Sequence, residues 1–80
     1  MKLPRDIGGR KLASLLAKFD YRVTRQTGSH IRLTSSLKGY PHHLTIPSHE
    51  PLEIGTLSGI LSDVASYLDT EKEKLIDELF

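Results

Sequence analysis

The 80-residue chain predicts an α+β fold, a three-stranded antiparallel sheet with helices covering one face. Three observations carry this expectation. An apolar stripe at helical spacing opens the chain, short runs with two-residue alternation fill its middle, and a second helical stripe follows them. The order helix–strand–strand–strand–helix, with a short helix added at the end, leaves the other sheet face to solvent.

Leu3-Pro4-Arg5-Asp6 reads as an extended lead-in, because the residue before a proline is pushed out of the helical region. Gly8-Gly9 interrupts it. Leu12, Leu15, Leu16 and Phe19 then mark one face of a helix from about Gly9 to Phe19, with Arg10, Lys11 and Lys18 off that face. Thr27-Gly28-Ser29 is a turn signal, since glycine supplies the positive φ that a tight reversal needs. Tyr21 to Thr24 before it and His30 to Thr34 after it alternate, which makes a β-hairpin. Ile31 and Leu33 face the core, so His30, Arg32 and Thr34 face outward.

Ser35 to Pro41 is a loop, and His43 to Ile46 is the third strand, ended by Pro47. Leu44 and Ile46 point inward there, His43 and Thr45 outward. Ser48 to Gly55 reads as an irregular bridge. The next helix is expected to start near Thr56 as N-cap and to bury Leu57, Ile60, Leu61, Val64 and Leu68. Thr70-Glu71-Lys72-Glu73 fits a capping box with Thr70 as the cap, so a last helix should run to Leu79, with Leu75, Ile76, Leu79 and Phe80 apolar.

A chain of this length supports a thin core and no deep enzyme cleft. The absence of cysteine excludes disulfides, thiolate metal sites and a cysteine nucleophile. Lys2, Arg5 and Asp6 interrupt the start, so no signal peptide is expected, and no run reaches the length of a membrane span. A soluble cytoplasmic protein is expected. The net charge of +1 hides two poles. Met1 to Pro47 holds nine Lys or Arg against two acidic residues, a balance of +7, and Ser48 to Phe80 holds two against eight, a balance of −6. The basic pole suggests a polyanionic partner.

His30 is the residue best suited to move a proton near neutral pH. Metal-free cleavage of RNA needs a base for the 2′-hydroxyl, groups that steady the phosphorane, and an acid for the leaving 5′-oxygen. His30 fits the base, while Arg25, Arg32 and the backbone N–H groups of the Thr27-Gly28-Ser29 turn fit the phosphate. His42, His43 and His49 are close in sequence, but adjacent strand residues face opposite ways and a metal set is not expected. No Gly-x-Ser-x-Gly elbow marks a serine hydrolase.

Leu3-Pro4-Arg5-Asp6, Arg25-Gln26-x-Gly-Ser-His30, Leu44-Thr45-Ile46-Pro47-x-His49 and Gly55-Thr56-Leu57-x-x-Ile60-Leu61 occur in this order. In these motifs the chain resembles the HicA toxins, small bacterial mRNA interferases with a double-stranded-RNA-binding-domain-like fold. The resemblance covers essentially the whole chain and implies one toxin domain over residues 1–80. It implies that His30 is catalytic, that mRNA is cut without a cofactor, and that a HicB-type antitoxin covers the active face. The acidic C-terminal third departs from the more basic pattern of many such toxins.

Arg25, Gly28, Ser29, Arg32 and His43 are the candidate RNA contacts. Gly28 is needed for the turn in any case, and Ser29 equally shapes it. His43 reads as a solvated strand residue or an accessory acid. His49 reads as a brace for the bridge or a second candidate acid, and Gly55-Thr56 as a helix start rather than a phosphate site. The alternative function is a non-catalytic RNA-binding module. Against it, Gly55 to Leu68 holds no Lys or Arg and one Asp, so the cations such a module presents at its last helix are missing. A third possibility is a degenerate homologue kept for regulation, which an intact His30 disfavours.

Overall fold

Each hydrophobic period in the sequence becomes an element in the computed structural model, which describes residues 3–80; Lys2, one of the early charges, lies outside the described residues. Helix α1 (Gly9–Leu16) continues into a 3₁₀ turn (Ala17–Phe19). Strands β1 (Arg22–Thr27), β2 (His30–Ser35) and β3 (His42–Pro47) follow, then α2 (Ile54–Leu68) and α3 (Lys72–Leu79). The strands form one antiparallel sheet in the order β1-β2-β3. This is the expected α+β arrangement, α-β-β-β-α with a short C-terminal helix.

The core lies on one side of the sheet. Ile31 and Leu33 of β2 and Leu44 and Ile46 of β3 are buried with Leu12 and Leu16 of α1, Leu57, Leu61 and Val64 of α2, and Leu75 of α3. Alternation in β2 and β3 sends every second residue into this layer and leaves the intervening ones outside. The Lys18 ammonium donates to the Glu78 carbonyl at 3.0 Å, so a cation completes the last turn of α3.

Several expected boundaries shift. Helix α2 begins at Ile54 with Glu53 at the N-cap, three residues before the expected cap, so Thr56 is not the cap. Helix α3 is capped by Glu71 rather than Thr70, with no side-chain capping bond. Phe80 is exposed, and Leu68 is only partly buried against the core. Tyr21 is buried just before β1 rather than lying within it, and all of β1 is exposed. Its register also shifts between Val23 and Arg25, a β-bulge that adds one residue to the strand, so the expected alternation does not run through it.

Three backbone bonds gather the start of α1, the hairpin turn and the segment after β3 at one end of the sheet. The Ser48 N–H donates to the Ser29 carbonyl at 2.7 Å, the Gly9 N–H to the His49 carbonyl at 3.0 Å, and the Leu52 N–H to the Ile7 carbonyl at 2.8 Å. Glycine at position 9 allows a close approach, since a Cβ there would lie 1.9 Å from the Pro47 carbonyl oxygen. At the other end, Tyr21 and His42 share a hydrogen bond of 2.7 Å, and the His42 ring stacks on Tyr67 with centroids 4.7 Å apart. Burial, with Tyr67 and Asp63 nearby, pushes the Tyr21 phenol up and keeps it protonated.

Candidate nucleic-acid interface

The open face of the sheet is set by register. Thr27 pairs with His30, Arg25 with Arg32, and Arg22 with Thr34. Across the other seam, His30 pairs with Pro47, Arg32 with Thr45, and Thr34 with His43. Directly opposed residues share a face, so His30, Arg32, Thr34, His43 and Thr45 stand together outside the core, joined by Arg22 and Arg25. All of these are exposed but Thr34, which is half-buried.

The bulge decides the place of Arg25. Strict alternation from Val23, which opposes the buried Leu33, would turn Arg25 toward the helices; the extra residue at Thr24 returns it to the open face beside Arg32. His30 then has Arg32 two residues along its own strand and Arg25 on the diagonal of the neighbouring one. Such diagonal neighbours lie about 7–8 Å apart at Cα, within reach of long side chains. No periodic pattern in Thr24-Arg25-Gln26-Thr27 signals the bulge, because the segment has no apolar residue to mark a face.

The turn beside His30 is a two-residue loop. Gly28 has φ +54 and Ser29 does not enter the positive region, the pattern of a type II′ hairpin. A Cβ on Gly28 meets no atom within 4 Å, so its requirement is conformational and not steric. Ser29 gives its carbonyl to Ser48 and is otherwise exposed.

His43 is held differently. Its Nδ1 lies 2.9 Å from Thr34 Oγ1, which lies 3.0 Å from Thr24 Oγ1, a polar chain across all three strands. No motif or spacing in the strands signals this chain. Because His43 opposes Thr34, it stands four residues along the sheet from His30. At about 3.3 Å per residue that is roughly 13 Å, beyond proton transfer to a group held by His30. His42, on the core side, is engaged with Tyr21. His49 lies after β3 on the segment tied to the hairpin turn and lines a cleft of about 530 Å³ between Pro47 and Thr56. Composition offered no hint of that cleft, which forms where the bridge folds over the sheet end.

Among the described residues no group of three His, Cys, Asp or Glu side chains is arranged to hold a metal. None of the helices described is long and apolar enough to cross a membrane. The one ion pair among the described residues joins Arg22 to Asp20 at 3.5 Å, so Arg25 and Arg32 oppose each other there without a carboxylate.

The structure is that of a small α+β protein with a cationic open sheet face and an exposed histidine at its hairpin, a charge pattern that attracts anions. The family model described as HicA toxin of bacterial toxin-antitoxin matches residues 9–65, and the chain belongs to this HicA toxin family. It is thereby the toxin of a toxin–antitoxin pair, with an antitoxin as its partner. No curated protein and no solved structure matches the chain.

Proposed function

We propose that the protein is a metal-independent endoribonuclease that cuts mRNA with His30 as general base. The observation that carries this reading is the shared face of His30, Arg25 and Arg32, with the two arginines at neighbouring positions of the sheet and lacking carboxylate partners among the described residues. His30 takes the proton of a ribose 2′-hydroxyl, and the 2′-oxygen attacks the adjacent phosphorus. Arg25 and Arg32 hold the charge that develops on the phosphorane, joined by the N–H groups of Gly28 and Ser29. The 5′-oxygen leaves with a proton, giving a 2′,3′-cyclic phosphate and a free 5′-hydroxyl. His49 is the better candidate for that acid, since the register sets His43 too far along the sheet. His43 and Thr34 instead suit a neighbouring nucleotide of the same strand. The non-catalytic alternative is weaker, because α2 presents no cation to a duplex. The partner on this reading is a HicB-type antitoxin that covers His30 and pairs Asp or Glu with the two arginines.

The test uses a labelled RNA and its 2′-deoxy counterpart, with and without EDTA, and the His30→Ala variant. Cleavage should persist in EDTA, spare the deoxy substrate, and fall by about 100- to 10,000-fold in the variant. The variant should melt as the parent does, because His30 is exposed. Activity lost in EDTA and restored by zinc or magnesium refutes the mechanism, and normal cleavage by the variant refutes the assignment of His30.

A further inference from the structure

The cleft beside His30 has a chemistry opposite to that of the open face. Its near wall is Pro47, the residue directly opposed to His30 across the β2–β3 seam; opposed Cα atoms lie about 5 Å apart. Pro51 and the buried Leu52 supply apolar surface, while His49, Glu53 and Thr56 supply polar atoms. No Lys or Arg lines it. Glu50 also borders it, but its Cγ lies 2.8 Å from where a Cβ on Gly8 would stand, so that side chain lies over the start of α1. Glu53 makes no capping bond at the head of α2.

The charges therefore separate across His30, with arginines on one side and a carboxylate-bearing cleft on the other. A phosphate is drawn to the first and repelled by the second. A base is the part of a nucleotide that suits the second, and the cleft volume falls within the roughly 300–1,000 Å³ common for small-ligand sites. The carboxylate then selects among bases. Glu53 only accepts hydrogen bonds. Guanine alone offers two adjacent donors on its Watson–Crick edge, N1–H and the N2 amino group. Adenine and cytosine set an amino group beside an acceptor, and uracil flanks its one N–H with two carbonyls.

We infer that this cleft is a guanine-recognition site for the nucleotide flanking the scissile phosphate, with Glu53 reading the base edge between the apolar walls of Pro47 and Pro51. The inference rests on the ribonuclease reading above and adds the specificity of the same site.

Two measurements on the full chain test it, each made on the parent and on Glu53→Ala, whose melting temperature is recorded as a folding control. The first compares cleavage of RNA oligonucleotides that differ only in the bases flanking one phosphodiester. The second follows the backbone amide NMR signals of His49, Leu52, Glu53 and Thr56 on titration with guanosine, adenosine, cytidine or uridine. The parent should prefer guanine by about 10-fold in both, the scale of one good bidentate base contact. Glu53→Ala should erase that preference while cutting guanine-free RNA within about threefold of the parent. Cleavage without guanine preference, or a preference that survives Glu53→Ala, overturns the inference and leaves the ribonuclease reading standing. If no RNA is cut, the ribonuclease reading fails and the nucleosides decide the cleft. Guanosine-selective shifts lost in Glu53→Ala then support a guanine site, and equal or absent shifts refute it.

Discussion

Replacing Gly9 by alanine should destabilise the protein even though the position is helical. In a helix interior the exchange gains roughly 1 kcal/mol from propensity alone. Here the new Cβ would lie 1.9 Å from the Pro47 oxygen, 2.9 Å from the Pro47 carbonyl carbon and 3.1 Å from the Ser48 Cα. All three are backbone atoms, so no side-chain rotation relieves the contact. Carbon–oxygen contacts normally open to about 3.3 Å or more, so α1 and the end of β3 must part by well over an ångström. That movement strains packing, by about 1–3 kcal/mol in measured overpacking. It also loosens the 3.0 Å bond from the Gly9 N–H to the His49 carbonyl, worth about 1 kcal/mol net. The balance is a loss of about 1–3 kcal/mol. Gly59, exposed in α2 with nothing within 4 Å of its would-be Cβ, is the control and should gain up to about 1 kcal/mol. Urea and thermal unfolding read both variants, at about 4–8 °C per kcal/mol for a chain this size. A Gly9→Ala protein as stable as the parent would refute the close approach on which the sheet end and His30 depend.

Three further outcomes are expected. Tyr67→Phe should cost about 1–3 kcal/mol in urea unfolding. The Tyr67 hydroxyl accepts the Lys38 N–H at 3.0 Å and donates to the Tyr40 carbonyl at 2.5 Å, and both groups lose their anchor. Above the ordinary phenol value of 10.0, stability should fall as pH rises, because the unfolded chain releases the Tyr21 proton before the folded one does. In alkaline melts Tyr21→Phe should show a shallower decline than the parent, and an identical slope would refute the burial effect. In complex with its antitoxin, His30 should exchange its ring hydrogen more slowly than in the free toxin; equal rates with tight binding would exclude occlusion.

The elements that bury a face were legible in the sequence. Leu12 and Leu16, Ile31 and Leu33, and Leu44 and Ile46 announce their period and lie in the core as their spacing requires. The ends of α2 and α3 were not, because Thr56 and Thr70 look like caps while the backbone places Glu53 and Glu71 there without a capping bond. The bulge in β1 was also invisible, since hydrophobic alternation cannot report on a segment with no hydrophobic residue. His30, Arg32 and Thr34 could be put on one face by counting from Ile31. Arg25 could not, and the cleft at Glu53 depends on a fold-back that no local pattern encodes.

The core and the cationic residues occupy opposite faces of this sheet, and the division explains why β1 tolerates its own composition. Val23 opposes the buried Leu33 but is 55% exposed, so the first strand contributes little to the core. Its worth lies in the bulge, which brings Arg25 across from Arg32. Like charges directly opposed on a sheet are destabilising, by a few tenths to about 1 kcal/mol, and no carboxylate among the described residues offsets this pair. An anion placed between the arginines relieves the repulsion as it binds. On the proposed function, two kinds of ligand would supply that anion, the phosphate of an RNA substrate and an acidic side chain of the antitoxin. Both would answer the same unbalanced charge, so each would displace the other without any change in the shape of the toxin. Inhibition would then be competition for one pair of cations on the face that holds His30, and a hairpin with one extra residue is what sets that pair opposite each other.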